Sequence, residues 1–183
     1  MNKSRPIYTP FSLDLSGRAH LIVTDQAEAP DAELTLSSID LWTVQTIAPG
    51  IQAPEQKNIR AFRAVPELLS HFTHRLAREK IGLRLYAIGT ESFLWDVHNL
   101  AVAAGLGASE IHLTQSGPFI RRVYCTHCRT MIENVAENIT PCPGCGASLF
   151  VRDHFSRRLA AFMGVKVDAE DPGEIPAPEV FTS

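Results

Sequence analysis

Apolar residues in the first two-thirds of the chain fall into short blocks that alternate between two periods. "HLIVTD" (20–25) is a compact β-branched run and predicts a buried strand. "LTLSSIDLWTVQTI" (34–47) holds strand-compatible residues without a clean period, and "IRAFRAV" (59–65) alternates Ile59, Ala61 and Ala64 with polar neighbours, as a strand does. From Pro66, which suits the first helical position, Leu68, Leu69, Phe72 and Leu76 recur at helical spacing, with Gly82 as the expected stop. "LRLYAI" (83–88) predicts another buried strand ending at Gly89. Thr90 is placed to cap a helix whose apolar positions are Phe93, Leu94, Val97, Leu100, Ala101 and Ala104, and Gly105 ends it. "EIHLTQ" (110–115) closes the series as a strand. Strand, helix, strand, helix, strand with short connections predicts parallel pairing in an α/β sheet. "QAEAPDAE" and "APGIQAPEQKN" (48–58) read as turns and loop, and the polar residues 1–18 as an arm or a first strand.

The pattern breaks at Ser116, Gly117 and Pro118. Beyond it lies a cysteine-bearing block (119–151), then "HFSRRLAAFMGV", whose Phe155, Leu159, Phe162 and Met163 fit one stripe of a helix. The tail "DAEDPGEIPAPEVFTS" is acidic and proline-rich with no basic residue, a composition expected to be disordered or laid against a partner. The predicted domains are 1–117 (α/β), 118–167 (cysteine module with a C-terminal helix) and 168–183 (tail). At 183 residues with 45% hydrophobic and 20% charged content, the chain has material for one ordinary domain and a small one. A net charge of −3 gives no general attraction to nucleic acid or anionic lipid. There is no apolar run of the roughly 20 residues that cross a bilayer, and "MNKSRPIYTPFSLDL" has no secretory core, so a cytoplasmic location is expected.

In that compartment thiols stay reduced, and paired cysteines point to metal rather than disulfides. All four cysteines lie in "YCTHCRTMIENVAENITPCPGCGASL", as Cys125/Cys128 and Cys142/Cys145. Two Cys-x-x-Cys turns facing each other offer four thiolates to a tetrahedral ion, the ligand set of a zinc ribbon. Gly144 and Gly146 permit unusual backbone angles in the second turn; the first has Arg129 where a glycine is typical. Four thiolates fill the shell, which leaves His127 and His154 outside it, leaves no position for a reactive water, and makes the metal structural. Iron in a rubredoxin-like site, which would make the chain an electron carrier, is the competing assignment. The insert "RTMIENVAENITP" has no aromatic residue of the kind that surrounds such iron sites, which favours zinc.

Other chemistry is thin. Gly-x-Ser-x-Gly, Walker and His-Glu-x-x-His motifs are absent. His71 and His74 share a helix with Arg75 and Arg78 and read as a solvated face; Asp96 and His98 lie on different helix faces; Trp42 and Trp95 read as packing residues.

"LRLYAIGTESFLWDVHNLAVAAGLGASEIHL" resembles the C-terminal part of the nicotinamide-binding domain of ferredoxin–NADP reductase-type flavoproteins, through Ile88, Gly89 and Thr90 at the strand end, Leu94 and Val97 in the helix, then Gly105 and Ile111-His112. Ile88 stands where that family has a cysteine. The glycine-rich phosphate turn due after the first strand is replaced by "QAEAPDAE", which has no glycine, and no flavin-binding motif precedes it. The expected fold class is therefore α/β: a Rossmann-like parallel-sheet domain with a degenerate ligand site, followed by a small zinc-ribbon domain. That half followed by "VYCTHC", "PCPGCGASLFV" and "RDHFSRRLAAFMGV" resembles the small accessory subunit of bacterial dimethylamine monooxygenase. The resemblance implies an NADPH-dependent oxygenase complex that converts dimethylamine to methylamine and formaldehyde. It also implies haem in an oxygenase subunit, and FMN and [2Fe-2S] in a reductase subunit, as partners. This chain is expected to be non-catalytic, binding no nucleic acid or membrane, with Arg121, Arg122, Arg152, Arg157 and Arg158 offered to acidic partner surfaces.

Overall fold

A computed structural model describes residues 4–27, 39–45 and 58–182. They form two compact units, residues 8–117 and residues 118–182 together with 4–7.

The first unit is built on five parallel strands, β1 (Ala19–Thr24), β2 (Ile39–Val44), β3 (Ile59–Phe62), β4 (Leu83–Gly89) and β5 (Ile111–Gln115), in the order β3-β2-β1-β4-β5. Helix α1 (Val65–Leu76) joins β3 to β4, and α2 (Glu91–Ala103) joins β4 to β5. Both crossovers run the same way across the sheet, so their right-handedness puts both helices on one face. There Leu21, Val23, Leu85 and Ala87 meet Leu68, Phe72, Leu94 and Val97 in one buried cluster. The alternate residues Ile22, Tyr86 and Ile88 point to the other face, where Phe11 and Leu13 of the N-terminal segment pack on them. Burial on both faces is why the central strands read as continuous apolar runs. Residues 4–18 hold no strand.

Element boundaries differ from expectation at three places. β3 ends at Phe62, because Ala64 is the extended N-cap of α1 and Val65 is already helical. α1 stops at Leu76, well before Gly82, which instead takes φ +104 in the turn into β4. Of 34–47 the structure shows β2; its remainder beyond Gln45 and before Ile39, and the expected loop up to 57, lie outside the described residues. Gly105 does end α2: at φ +97 its N–H bonds to the Val102 carbonyl while Leu106 N–H reaches Ala101, a left-handed helix stop.

The second unit is a five-stranded sheet of β6 (Arg121–Cys125), β7 (Met131–Val135), β8 (Ile139–Pro141), β9 (Ser148–Ser156) and β10 (Ala161–Lys166), ordered β7-β6-β10-β9-β8. Its two edge strands are joined directly by residues 136–138. Four strand spacings of about 4.8 Å would hold flat edges about 19 Å apart, but that link reaches only about 14 Å. The sheet must curl, and curling brings the β6–β7 turn towards the β8–β9 turn.

The helix expected over 154–165 is absent. That segment is the β9–β10 hairpin, turning at residues 157–160 with Ala160 at φ +50. Phe155 and Phe162, which suggested two turns of helix, are cross-strand partners with ring centroids 5.0 Å apart. The tail is also different: it is laid against its own chain. Asn138 N–H donates to the Glu179 carbonyl and Phe181 N–H to the Ala136 carbonyl, both at 2.9 Å. The Arg121 guanidinium lies between the Phe162 and Phe181 rings, 4.2 and 3.9 Å from their centroids. At the other terminus the Ser4 hydroxyl accepts from Phe155 N–H at 2.8 Å. Among the described residues, no helix is long and apolar enough to cross a membrane.

Candidate metal centre

The two cysteine turns are built alike. In the first, Cys125 N–H donates to the Thr130 carbonyl and Arg129 N–H returns to the Cys125 carbonyl, each at 2.9 Å. In the second, Cys142 N–H donates to Ala147 and Gly146 N–H to Cys142, again at 2.9 Å. This closure requires a left-handed residue directly after the second cysteine, and the structure has Gly146 at φ +72 and Arg129 at φ +67. Gly144 serves another purpose than the expected one. Its φ is not positive, but a Cβ there would run into the Thr130 hydroxyl and come within 3.2 Å of the Cys128 sulfur. Between the turns passes β10, where Gly164 sits opposite Cys125 and its carbonyl accepts from both Thr126 N–H and Thr126 Oγ1, at 3.0 Å each. A Cβ at Gly164 would come within 2.7 Å of Val123. Glycine therefore lets β10 lie close beneath the turns.

These constraints bring the four expected sulfurs together, all within 4.8 Å of one another. Cys125 Sγ lies 3.9 Å from Cys145 Sγ, and Cys128 Sγ 3.5 Å from Cys142 Sγ. Metal–sulfur bonds of about 2.3 Å in a tetrahedron need sulfur–sulfur edges of about 3.8 Å, so the cage fits a four-coordinate ion. Cys125 and Cys142 are buried, Cys128 and Cys145 half-buried, and Leu149 and Ile132 pack beside them. Hydrogen bonds from the Thr130 hydroxyl and amide pull the Cys128 thiol down to about 6. The Ala147 amide favours a thiolate at Cys145, yet burial and the other three thiols push it up to about 12. The surroundings favour a thiolate at Cys128 and resist one at Cys145, and a cation at the centre would remove that conflict. Neither His127 nor His154, both exposed, belongs to the cluster. Thr130 is the contributor that sequence reading missed: a hydroxyl beyond the Cys-x-x-Cys pattern carries no signal until the two turns face each other.

The ligand-binding edge of the parallel sheet is different in kind. Asp25, directly after β1, lays its carboxylate against the N-terminus of α2, accepting from Thr90 N–H at 3.1 Å and from the Thr90 hydroxyl. Thr90 is the N-cap residue but makes no side-chain cap bond, its hydroxyl being committed to Asp25. Gly89, at φ +149, leaves the space the carboxylate occupies, since a Cβ there would overlap it. Burial raises the Asp25 carboxyl above the usual carboxylate range, against the Thr90 bonds. Helix N-termini in such folds receive phosphates; this one holds the chain's own carboxylate.

The expected basic set divides. Arg121 is buried and internal, reaching Asp153 at 3.1 Å, and Arg122 pairs with Glu133 at 2.6 Å. Arg152, Arg157 and Arg158 are exposed on β9 and its turn. His98 faces the Trp95 ring and Asn99. Trp42 and Trp95 are both buried, as packing residues are.

Residues 41–111 match the N-terminal domain, and residues 122–165 the C-terminal domain, of the family described as dimethylamine monooxygenase subunit DmmA-like. A protein of Ectopseudomonas mendocina (strain ymp) named heme-dependent oxidative N-demethylase delta subunit is 41% identical over 153 residues, covering 84% of this chain and 82% of that protein. Among solved structures, phthalate dioxygenase reductase, described as a modular structure for electron transfer from pyridine nucleotides to [2Fe-2S], aligns at a TM-score of 0.45 and 14% identity, over 69% of this chain and 46% of that one. This chain thus spans under half of that reductase. On the strength of both domain matches and the relative that shares most of its length, the chain belongs to the dimethylamine monooxygenase subunit DmmA-like family.

Proposed function

We propose that this chain is a non-catalytic assembly subunit of an NADPH-dependent oxygenase that demethylates dimethylamine, and that its four cysteines hold structural zinc. In this reading it docks a haem-bearing oxygenase subunit and a flavin and iron–sulfur reductase subunit, and acts in the cytoplasm. The observation that carries the reading is the closed cage: Cys125, Cys128, Cys142 and Cys145 supply all four positions around one centre, which leaves none for substrate or water. The Asp25 carboxylate at the α2 N-terminus supports it further, since it stands against the phosphates of a nicotinamide nucleotide. The delta-subunit name of the relative fits a role alongside other subunits. Zinc is preferred to iron because the segment between the cysteine turns has no aromatic residue to pack around a redox centre.

The test is to co-express the chain with the other subunits of its oxygenase, separate them, and identify metal and cofactors in each. One zinc per chain and a colourless protein are expected. Cys142→Ser should lose the metal and release the partners while the parallel-sheet unit stays folded. A visible, reducible iron spectrum in the separated chain would make it an electron carrier instead, and a full-activity complex with Cys142→Ser would refute docking.

A further inference from the structure

His71 and His74 look like a solvated helix face in sequence, but the fold makes them one wall of a cleft. The other walls are Arg60 and Trp42, from β3 and β2, Arg75 in the last turn of α1, and Arg78 and Glu79 just beyond it, around an open volume of about 400 Å³. Its cationic groups are not equivalent. Arg75 is neutralised by Asp40 at 2.7 Å and Glu79 at 3.0 Å, and its guanidinium lies 5.5 Å from the Trp42 ring centroid, so it braces the wall. Arg60, which is exposed, is held by uncharged groups: it lies over the Trp42 and Phe62 rings at 5.6 and 5.0 Å and donates to His71 Nδ1 at 3.3 Å. Among the described residues neither Arg60 nor Arg78 meets a carboxylate. His74 donates from Nδ1 to the Ser70 carbonyl at 2.8 Å, so in the neutral ring its Nε2 is an acceptor and offers nothing to a carboxylate.

We infer that this cleft is the docking site for an acidic, Asp/Glu-rich segment of a partner subunit. The inference rests on the assembly role proposed above and assigns that role a surface. A guanidinium fixed over aromatic faces has already lost its rotamer freedom, so a carboxylate binding it meets a preorganised fork. Arg78, the second guanidinium with no carboxylate partner among the described residues, extends the positive charge past the end of α1, a layout that suits successive carboxylates of a peptide rather than one small anion. The chain's net charge of −3 makes the cleft a local exception and so a place where charge selects orientation.

In the co-expressed complex, Arg60→Glu with Arg78→Glu should weaken association by at least about ten-fold and flatten its salt dependence, with metal content unchanged. Arg78→Gln, which disturbs no ring contact, should give a smaller loss in the same direction. A deca-glutamate peptide should shift Trp42 emission in the isolated full chain, whereas deca-glutamine should not. Wild-type affinity in the double variant, or a single-stranded RNA that binds the cleft more tightly than deca-glutamate, would overturn the assignment. If the cleft variants assemble normally but Cys142→Ser does not, only the cleft assignment fails; if the wild-type chain joins no subunit, the assembly role itself is wrong.

Discussion

Two residues after the cysteine pairs show how far single positions were legible. Gly146 and Arg129 occupy the same left-handed place in equivalent turns, at φ +72 and +67. For a residue with a Cβ that conformation costs about 1–2 kcal/mol, and for glycine almost nothing. Gly146→Ala should therefore destabilise the metal-loaded protein by about 1 kcal/mol. Arg129→Gly should be neutral or stabilising by up to about 1 kcal/mol, since relief of strain is partly offset by a freer unfolded chain. Denaturant melts of both variants check this, and a loss at Arg129→Gly equal to that at Gly146→Ala would show that something other than backbone strain fixes the turn. The cysteine spacing and the odd Arg129 were readable because a Cys-x-x-Cys turn is a local structure. Gly144 was readable as important, but its reason was not, because the Thr130 hydroxyl that fills its missing Cβ comes from the opposite turn.

At the scale of elements, the crossover helices were legible by their period and the central strands β1 and β4 as short apolar runs between turn residues, while β2 lay in a stretch without a clean period. The β9–β10 hairpin was not. Phe155 and Phe162 are seven positions apart, a separation that two helical turns and a hairpin partner produce equally, and only the pairing across Ala160 decides between them. The bond between the end of β1 and the start of α2 was equally hidden, since Asp25 and Thr90 are 65 positions apart. It carries a pH signature. With the folded carboxyl raised above its ordinary value of 3.8, the unfolded chain ionises first as pH rises. The folded state then binds more protons, so stability attributable to Asp25 is present below 3.8 and is lost as pH climbs through the folded value. Asp25→Asn keeps an acceptor for Thr90 and has no such loss. Its melting temperature relative to wild type should therefore increase between pH 3.5 and pH 7, and a constant or falling difference would mean that the carboxylate is not desolvated as the structure has it.

The molecule as a whole joins two units that hold together by different means. The parallel-sheet unit has a core of its own, with Leu21, Leu68, Phe72, Leu85, Leu94 and Val97 fully buried. In the curled sheet the cluster around the sulfurs is short of apolar groups: among the described residues Leu149 is the one non-cysteine side chain fully buried there, with Ile132 and Ala147 partly so. Phe155 and Phe162 pack elsewhere in that unit, beside Arg121. Val123, Val151, Ala161 and Phe162 are buried farther along the sheet, so it is at the sulfur end that ligand bonds to a bound ion would supply what apolar burial does not. Removing the ion should thus separate the two units thermodynamically. With a strong chelator at neutral pH, amide protons of β6 through β10 should exchange orders of magnitude faster, while those of β1 and β4 stay protected. The melting curve should split from one transition or two close ones into an early, chelator-sensitive step and a late, indifferent one. Readdition of zinc should merge them again. If both units lose protection together, the metal stabilises the whole chain rather than the curled sheet, and the same cage would have to act through the parallel sheet as well.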